Sequence, residues 1–380
     1  MILFISIAIL NWFNWKTLKT ENFTVFYKTG YEWEAWQALQ NLEYYREKVV
    51  DLTGNRPGRT AIVIEDIGTM ANGFANPVFR DIHLFIYPPA GGELDMTENW
   101  YRAVGIHEYT HLAHMRKTAG VMRFLSQTFG TIFQPNSYSP GWVIEGITVY
   151  TESQLSPYEG RLNDGFFDAY IACCADQGKL PSLGKATYTP LEFPYYAGSY
   201  LFGGGFFEYL ALKYGEDKFA QFFKTYGSCC MAPHLAVLFP ITGIDAASYL
   251  VYGRSMVTLF NEWEKYEIMR YQGWKIEGRQ LTRRGWYCRY LLSDGKHLYY
   301  VREYPKKTDA RSIFYFSKIV AYDLKTGKEK VVADLTSSVS TPLKIRDGWL
   351  YYTTRELRYG YANLAQIGCG FESNLYRRNL

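Results

Sequence analysis

Hydrophobic and polar positions alternate in short runs through Tyr87, as is typical of half-buried strands. Between two of these runs, residues 32–52 have apolar side chains at helical spacing, and this stretch ends close to Gly54. The pattern therefore predicts one helix within a small sheet. The predicted strands are residues 23–27, 60–65 and 81–87.

Beyond the predicted strands, apolar residues recur at helical spacing. They do so over residues 98–115 and again from residue 140 to about residue 272. A sheet followed by a run of helices is the arrangement of the α+β class. We therefore expect an α+β domain over residues 15–274.

The pattern changes again near Ile276, where short aromatic strands alternate with turn residues. Two Asp-Gly turns, Asp294-Gly295 and Asp347-Gly348, lie 53 residues apart, and a pair of adjacent tyrosines follows each of them. This repeat resembles the blades of TolB-like β-propellers, which recur at about this length. A propeller closes with at least about four blades, and residues 275–380 supply roughly two. The resemblance implies a partial, all-β propeller segment of a longer protein, and the alternative is a small β-meander.

His107-Glu108-Tyr109-Thr110-His111 is an H-E-x-x-H motif inside the predicted helix of residues 98–115. Residues i and i+4 share one face of a helix, so His107 and His111 can bind the same metal ion. Glu108 can then reach a water molecule on that metal without being a ligand. The alternative is a surface helix with solvated histidines. The clustering of His107, His111 and His114 in a chain with six histidines favours the metal site.

A zinc hydrolase needs a third protein ligand and keeps one position open for water. Glu145 is the candidate, because it lies in a predicted helix that begins after Pro140-Gly141. Burying a carboxylate alone is costly, and a zinc ion held by two histidines is a suitable partner. The alternative is an exposed helix carboxylate. The apolar neighbours that favour burial are Trp142, Val143, Ile144 and Val149.

The run Glu145-Gly-Ile-Thr-Val-Tyr-Thr-Glu152, placed after an H-E-x-x-H helix, resembles the gluzincin metallopeptidases, especially the aminopeptidase-N-like and peptidase MA-like groups. The resemblance covers about residues 15–272. It implies a thermolysin-like α+β domain with a mixed sheet and a helical subdomain, with Zn2+ as cofactor and Glu145 as the third ligand. The interval between His111 and Glu145 is longer than in the aminopeptidases, which implies an inserted loop at about residues 117–139.

A third motif fits the same family. Pro194-Tyr195-Tyr196-Ala197-Gly198 matches a Pro-Tyr-x-x-Gly motif whose tyrosine stabilises the transition state in these enzymes. The resemblance assigns this role to Tyr195, with Tyr196 as its rival.

Two further side chains near the motif are open to more than one interpretation. Glu152 lies two helical turns after Glu145. It is interpreted either as an acceptor that orients a ligand histidine or as a solvated helix end. His114 is interpreted as neighbouring structure, because Glu145 completes the ligand set better.

The resemblance also implies a reaction. A zinc-activated water attacks a peptide bond, with Glu108 as general base and Tyr195 as hydrogen-bond donor to the developing oxyanion. The aminopeptidases use a Gly-x-Met-Glu-Asn strand to grip the free amine of the substrate. In the similar run from Gly68 to Asn72, Ala71 replaces that glutamate, and the run lies too far from His107. We therefore predict an endopeptidase that acts on a peptide or protein substrate.

The composition and the N-terminal segment limit the partners and the cellular location that we expect. The 41 basic and 37 acidic residues give a net charge of +4 without a basic block, so no nucleic acid is expected. Residues 1–14 begin with an apolar run that is too short to span a bilayer. We interpret this segment as an export signal, with a buried strand as the alternative. The prediction is an exported protein with membrane association only through this segment and with an unassigned oligomeric state.

Two functions from different classes follow. The first is a zinc metallo-endopeptidase. The second is a catalytically weak, peptidase-like binding protein whose propeller mediates protein or cell-surface interaction. The presence of all three ligands, the base and a tyrosine favours the first, because a degenerate enzyme usually loses at least one of them.

Overall fold

The computed structural model forms two compact units, one built mainly from residues before 275 and one mainly from residues 275 onward. The predicted export signal, Tyr195 and Tyr196 lie outside the residues that it describes, and export stays a prediction. The described residues are 15–68, 70–89, 97–187, 197–228, 243–274, 277–282, 287–307, 313–335, 339, 341–363 and 368–380.

The first unit contains a five-stranded mixed sheet with the strand order β1-β2-β3-β5-β4. The central pairs β2–β3 and β3–β5 are parallel, whereas the edge strands β1 and β4 pair antiparallel with β2 and β5. The alternation in the sequence predicted the three central strands but neither edge strand. The strands are β1 (Trp15–Lys19), β2 (Phe23–Lys28), β3 (Thr60–Glu65), β4 (Gly73–Asn76) and β5 (Asp81–Phe85).

Ten α-helices occupy the described parts of this unit, and they confirm the α+β class. The helix with the H-E-x-x-H motif begins one residue after Asn99, whose side chain accepts a hydrogen bond from the backbone nitrogen of Arg102 and so caps it. The helices are α1 (Glu32–Thr53), α2 (Trp100–Met115), α3 (Gly120–Phe129), α4 (Gly141–Ser153), α5 (Gly165–Asp176), α6 (Leu183–Thr187), α7 (Gly198–Tyr214), α8 (Asp217–Tyr226), α9 (Ile244–Tyr252) and α10 (Met256–Arg270).

The segment expected to be an inserted loop at residues 117–139 is largely helical. It contains α3 and two short 3-10 helices, Gly130–Phe133 and Pro135–Tyr138. Asn136 ties this segment down, because its buried amide donates to the carbonyl oxygens of Lys117 and Phe223.

Helices α4 and α7 cross at two glycines, Gly146 and Gly203. A Cβ atom on Gly203 would lie 2.5 Å from the carbonyl oxygen of Trp142, and one on Gly146 would lie 2.6 Å from the carbonyl carbon of Gly203. In both cases the added atom would clash with backbone atoms, and moving a side chain cannot remove such a clash. The two glycines therefore let α7 approach the helix that carries Glu145.

We expect Gly203→Ala to destabilise the first unit by about 1–3 kcal/mol, because the added methyl group overpacks the crossing. Gly165→Ala is the matched control, since a Cβ there meets nothing within 4 Å. Urea unfolding followed by tryptophan fluorescence measures both variants. An unchanged midpoint for Gly203→Ala would show that the two helices can separate without cost.

The described parts of the second unit form two antiparallel sheets. The first has the order β6-β7-β8-β9 and the second has the order β10-β11-β12. The two predicted Asp-Gly turns precede β7 and β11. A propeller arrangement stays a prediction. The strands are β6 (Tyr287–Ser293), β7 (His297–Lys307), β8 (Ile313–Asp323), β9 (Glu329–Leu335), β10 (Lys344–Arg346), β11 (Trp349–Asn363) and β12 (Gly368–Asn379).

Within the described parts of both units, no helix combines the length and the apolar content needed to cross a bilayer. Cys173, Cys174 and Cys288 are free thiols.

Candidate metal centre

Helix α2 is buried on nearly every side, which fixes the direction of its functional side chains. The rings of His107 and His111 lie one turn apart, with centroids separated by 4.8 Å. The edge strand β4 passes close to the helix, because a Cβ atom on Gly73 would lie 2.6 Å from Val104 Cγ2 and 3.2 Å from Glu108 Cγ. Gly73 therefore lets the sheet edge pack directly beside the glutamate of the motif.

The structure brings His107, His111 and Glu145 together. Glu145 Oε2 lies 3.2 Å from His111 Nε2 and 3.5 Å from His107 Nε2. These three form a group of possible metal ligands whose atoms all lie within 4.8 Å of one another. Glu145 Oε2 is buried and has no hydrogen-bond partner among the described residues, although it faces both rings.

The charges of this group support one another. Burial alone would raise the pKa of Glu145, but the nearby histidines hold it well below its usual range. Burial also disfavours a charged His107, yet the nearby carboxylate of Glu145 and the hydrogen bond to Glu152 outweigh this and raise the pKa of His107 to about 9. The two carboxylates therefore favour positive charge at this site, and a bound cation would take the place of the proton on His107.

Glu152 lies against the opposite side of the His107 ring. Its Oε2 atom is 2.7 Å from His107 Nδ1, and Arg161 Nη1 donates to both of its carboxylate oxygens at 2.9 Å. The positive charge of Arg161 and the contact with His107 overcome burial and lower the pKa of Glu152. A charged acceptor at Nδ1 leaves Nε2 of His107 free to face Glu145, and the orienting role of Glu152 stays a prediction.

The loop after α4 brings Arg161 to this position. Gly160 has φ +91°, and a Cβ atom there would lie 2.5 Å from Ser153 Cα. The loop also holds the start of α2, because Arg102 Nε and Nη2 donate to the buried carboxylate of Glu159, each at 2.8 Å. One loop thus fixes both the helix with the histidines and the ring orientation of His107.

Glu108 is buried beside the two histidines but is not part of the converging group. Burial raises its pKa, and the charges of His107 and His111 oppose that shift. A carboxyl group with a raised pKa is a better proton acceptor and carrier near neutral pH than an exposed one.

Tyr200, which sequence reasoning missed, lies over the site. Its ring is nearly parallel to that of His107, at 19° and 6.2 Å between centroids, and the guanidinium carbon of Arg161 lies 4.9 Å from its centre. Burial, followed by the charge of Glu145, raises the pKa of the Tyr200 hydroxyl. No local motif marks this residue, which reaches the site only because Gly146 and Gly203 let α7 come close.

His114 lies outside the converging group, as predicted. Its ring packs against Phe223 at 5.3 Å and lies 6.0 Å from that of His111. Burial holds the pKa of His114 well below its usual value, so the ring stays neutral.

Comparisons with known proteins give only distant likenesses. The sequence matches no family model and no curated protein. Its structure is similar to native yeast LTA4 hydrolase, with TM-score 0.35 and 15% identity over 66% of this chain and 38% of that chain. It is also similar to the yeast LTA4 hydrolase complex with bestatin, with TM-score 0.35 and 15% identity over 70% and 40% of the two chains.

A third likeness is to an aminopeptidase N family protein from Idiomarina loihiensis, with TM-score 0.29 and 12% identity over 67% of this chain and 41% of that chain. The chain thus spans about two fifths of the length of each of these structures. With TM-scores below 0.5, these likenesses assign no activity, and the residues of the site carry the functional argument.

Proposed function

We propose that this chain is a zinc-dependent metallopeptidase with His107, His111 and Glu145 as the metal ligands. One observation carries the proposal, namely the buried, unpartnered Glu145 Oε2 that faces two imidazole nitrogens at 3.2 and 3.5 Å. Two zinc ligands at tetrahedral positions, each about 2.0–2.1 Å from the metal, lie about 3.3 Å apart. The donor set and its spacing therefore fit a zinc ion.

When bound, zinc supplies Lewis-acid activation of a water molecule and of the substrate carbonyl. The chain supplies the proton transfers and the orientation. Glu108 accepts a proton from the attacking water and delivers it to the leaving amine. Glu152, held by Arg161, keeps the His107 ring in place. Tyr195 is proposed as the hydrogen-bond donor to the developing oxyanion.

The site favours an enzyme over a peptidase-like binding protein. Glu108 is buried next to His107 yet does not belong to the group of possible ligands, which is the position that a general base for a metal-bound water would need. The alternative function rests on the predicted propeller blades, and catalytic inactivity of a zinc-loaded protein would favour it.

We expect one zinc ion per chain in the wild-type protein and at least about 100-fold weaker zinc binding in Glu145→Gln. This lies beyond the 10–100-fold effect typical of a residue that only supports a ligand. The amide keeps the shape of the side chain but removes the charge that faces both histidines. Elemental analysis and competition with a chromogenic chelator measure the two quantities.

Glu98→Gln is the matched control, because Glu98 is exposed and its partners are Arg102 and Ser156 rather than the candidate ligands. Stoichiometric, tightly bound zinc in Glu145→Gln would exclude Glu145 as a ligand. Absence of zinc from the wild type after loading would contradict the proposed function itself.

We also propose that cleavage is internal, since no amine-gripping glutamate was found in the sequence. Mass spectrometry should show the same internal cuts in a peptide whether its N-terminus is free or acetylated. Stepwise loss of single N-terminal residues, abolished by acetylation, would identify an aminopeptidase instead.

A further inference from the structure

Helix α3 turns its apolar side chains towards solvent. Val121, Phe124 and Phe129 are 54%, 66% and 60% exposed, whereas Met122 is the one buried residue of this helix. Ile132, in the 3-10 helix that follows, is 62% exposed. Large side chains that together leave such a surface open usually mark a site of interaction.

The same segment carries only positive charge. Residues 116–144 contain Arg116, Lys117 and Arg123 but no aspartate or glutamate. Lys224 on α8 lies nearby, because its charge and that of Arg123 add to burial in lowering the pKa of Lys117. The exposed apolar face is therefore bordered by cations from two helices.

The turn between β4 and β5 adds two more apolar side chains beside this segment. Val78 and Phe79 are exposed at its tip, and Arg116 donates a hydrogen bond to the carbonyl oxygen of Pro77 in the same turn. Arg116 is also close enough to Arg80 for the two like charges to interact. Both the β4–β5 turn and the segment after α2 therefore carry exposed apolar side chains and arginine residues.

We propose that this surface, formed by α3, Ile132 and the β4–β5 turn, docks on an anionic lipid bilayer. Apolar side chains with flanking lysine and arginine residues are the pattern of helices that lie in the membrane interface. Each cation near an anionic surface adds a favourable interaction, whereas the apolar tips enter the headgroup boundary. Pairing with a second copy of the chain fits less well, because a twofold contact would bring the same cations against each other.

The test is flotation of the full chain with vesicles of phosphatidylcholine alone or with phosphatidylserine added. Wild type, the double variant Phe124→Ser/Phe129→Ser and the double variant Leu212→Ser/Leu250→Ser are compared. Leu212 and Leu250 are each 70% exposed but lie on α7 and α9, so they control for general loss of surface hydrophobicity. Circular dichroism and sedimentation velocity establish that all three proteins are folded and report their oligomeric state.

We expect wild type to bind the anionic vesicles at least tenfold more tightly than the Phe124/Phe129 variant and to lose binding as salt is added. The Leu212/Leu250 variant should bind as wild type does. Arg123→Gln should weaken binding to anionic vesicles about fivefold, the value expected for one cation near such a surface.

Three outcomes overturn the proposal. The first is equal binding of wild type and the Phe124/Phe129 variant, which would assign membrane binding to another segment such as residues 1–14. The second is absence of wild-type binding. The third is a wild-type dimer that becomes a monomer in the Phe124/Phe129 variant, which would make this surface an interface between copies. None of these measurements depends on zinc or on peptide hydrolysis.

Discussion

Glu108→Gln is expected to lower the rate of peptide hydrolysis by about 10²–10⁴-fold, the range that a positioned general base contributes. Glutamine has the same shape and fits the same buried position between α2 and β4, but it cannot accept a proton from water. The ligand group of His107, His111 and Glu145 does not include Glu108, so zinc content should stay at the wild-type level. The rate on an unfolded protein substrate, measured with zinc content for each preparation, tests both statements.

A control variant and two possible outcomes for Glu108→Gln show whether the loss of rate comes from the general base. Glu98→Gln, which removes an exposed carboxylate just before the same helix, should keep the wild-type rate. Glu108→Gln with normal zinc and a normal rate would exclude Glu108 as the base. Loss of zinc from this variant would show instead that Glu108 supports the ligands, and the loss of rate would then have another cause.

The close approach of the two histidine rings on α2 could be predicted because the geometry is local. His107 and His111 lie four residues apart on a strongly predicted helix, so one face carries both rings whatever surrounds the helix. The three central strands of the sheet were predictable for a similar reason, since alternation along each strand reflects the one face that it buries. Strand β4 escaped prediction because it has only four residues and begins with Gly73, whose role is the close approach to Val104.

The side chains that surround these two histidines could be predicted only in part, because their positions depend on how distant segments pack. Glu152 was a candidate from its spacing to Glu145, but its contact with His107 requires α4 to lie against α2. Arg161 and Tyr200 were not candidates at all. Arg161 reaches Glu152 only because Gly160 folds the loop back, and Tyr200 reaches His107 only because two glycines bring α7 to α4. None of these three glycines differs in sequence from an ordinary turn or helix glycine.

The same distinction applies to residues 117–139. The length of this segment between the histidines and Glu145 predicted an insertion, but length carries no information about exposure. The apolar spacing of Val121, Phe124 and Phe129 predicts an amphipathic helix whose apolar side would ordinarily face the core. In the structure these three side chains are exposed and Met122 is the buried residue of the helix, and this exposure is the observation on which the proposed docking surface rests.

Loss of one hydroxyl separates the two tyrosines that compete for the role of oxyanion donor. Tyr195 holds the motif position, whereas Tyr200 packs over His107 and Arg161. We expect Tyr195→Phe to lower kcat by about 10²–10³-fold, the cost of removing one donor to a developing oxyanion. KM should change little, because the hydrogen bond forms mainly in the transition state. Zinc content should not change.

Tyr200→Phe is the matched control, because it removes the same hydroxyl from the same site while the ring that packs on His107 remains. Its kcat should fall by less than the ~10²-fold expected for an oxyanion donor. Tyr200→Ala, which removes the ring, should instead weaken zinc binding about tenfold, since His107 then loses part of its orientation.

A large kcat loss in Tyr200→Phe with a small one in Tyr195→Phe would transfer the role to Tyr200. A large loss in Tyr196→Phe alone would show that the motif register is displaced by one residue. Side chains at adjacent positions of one helix or strand point in different directions, so we expect only one of Tyr195 and Tyr196 to act and the three single variants to give distinguishable results.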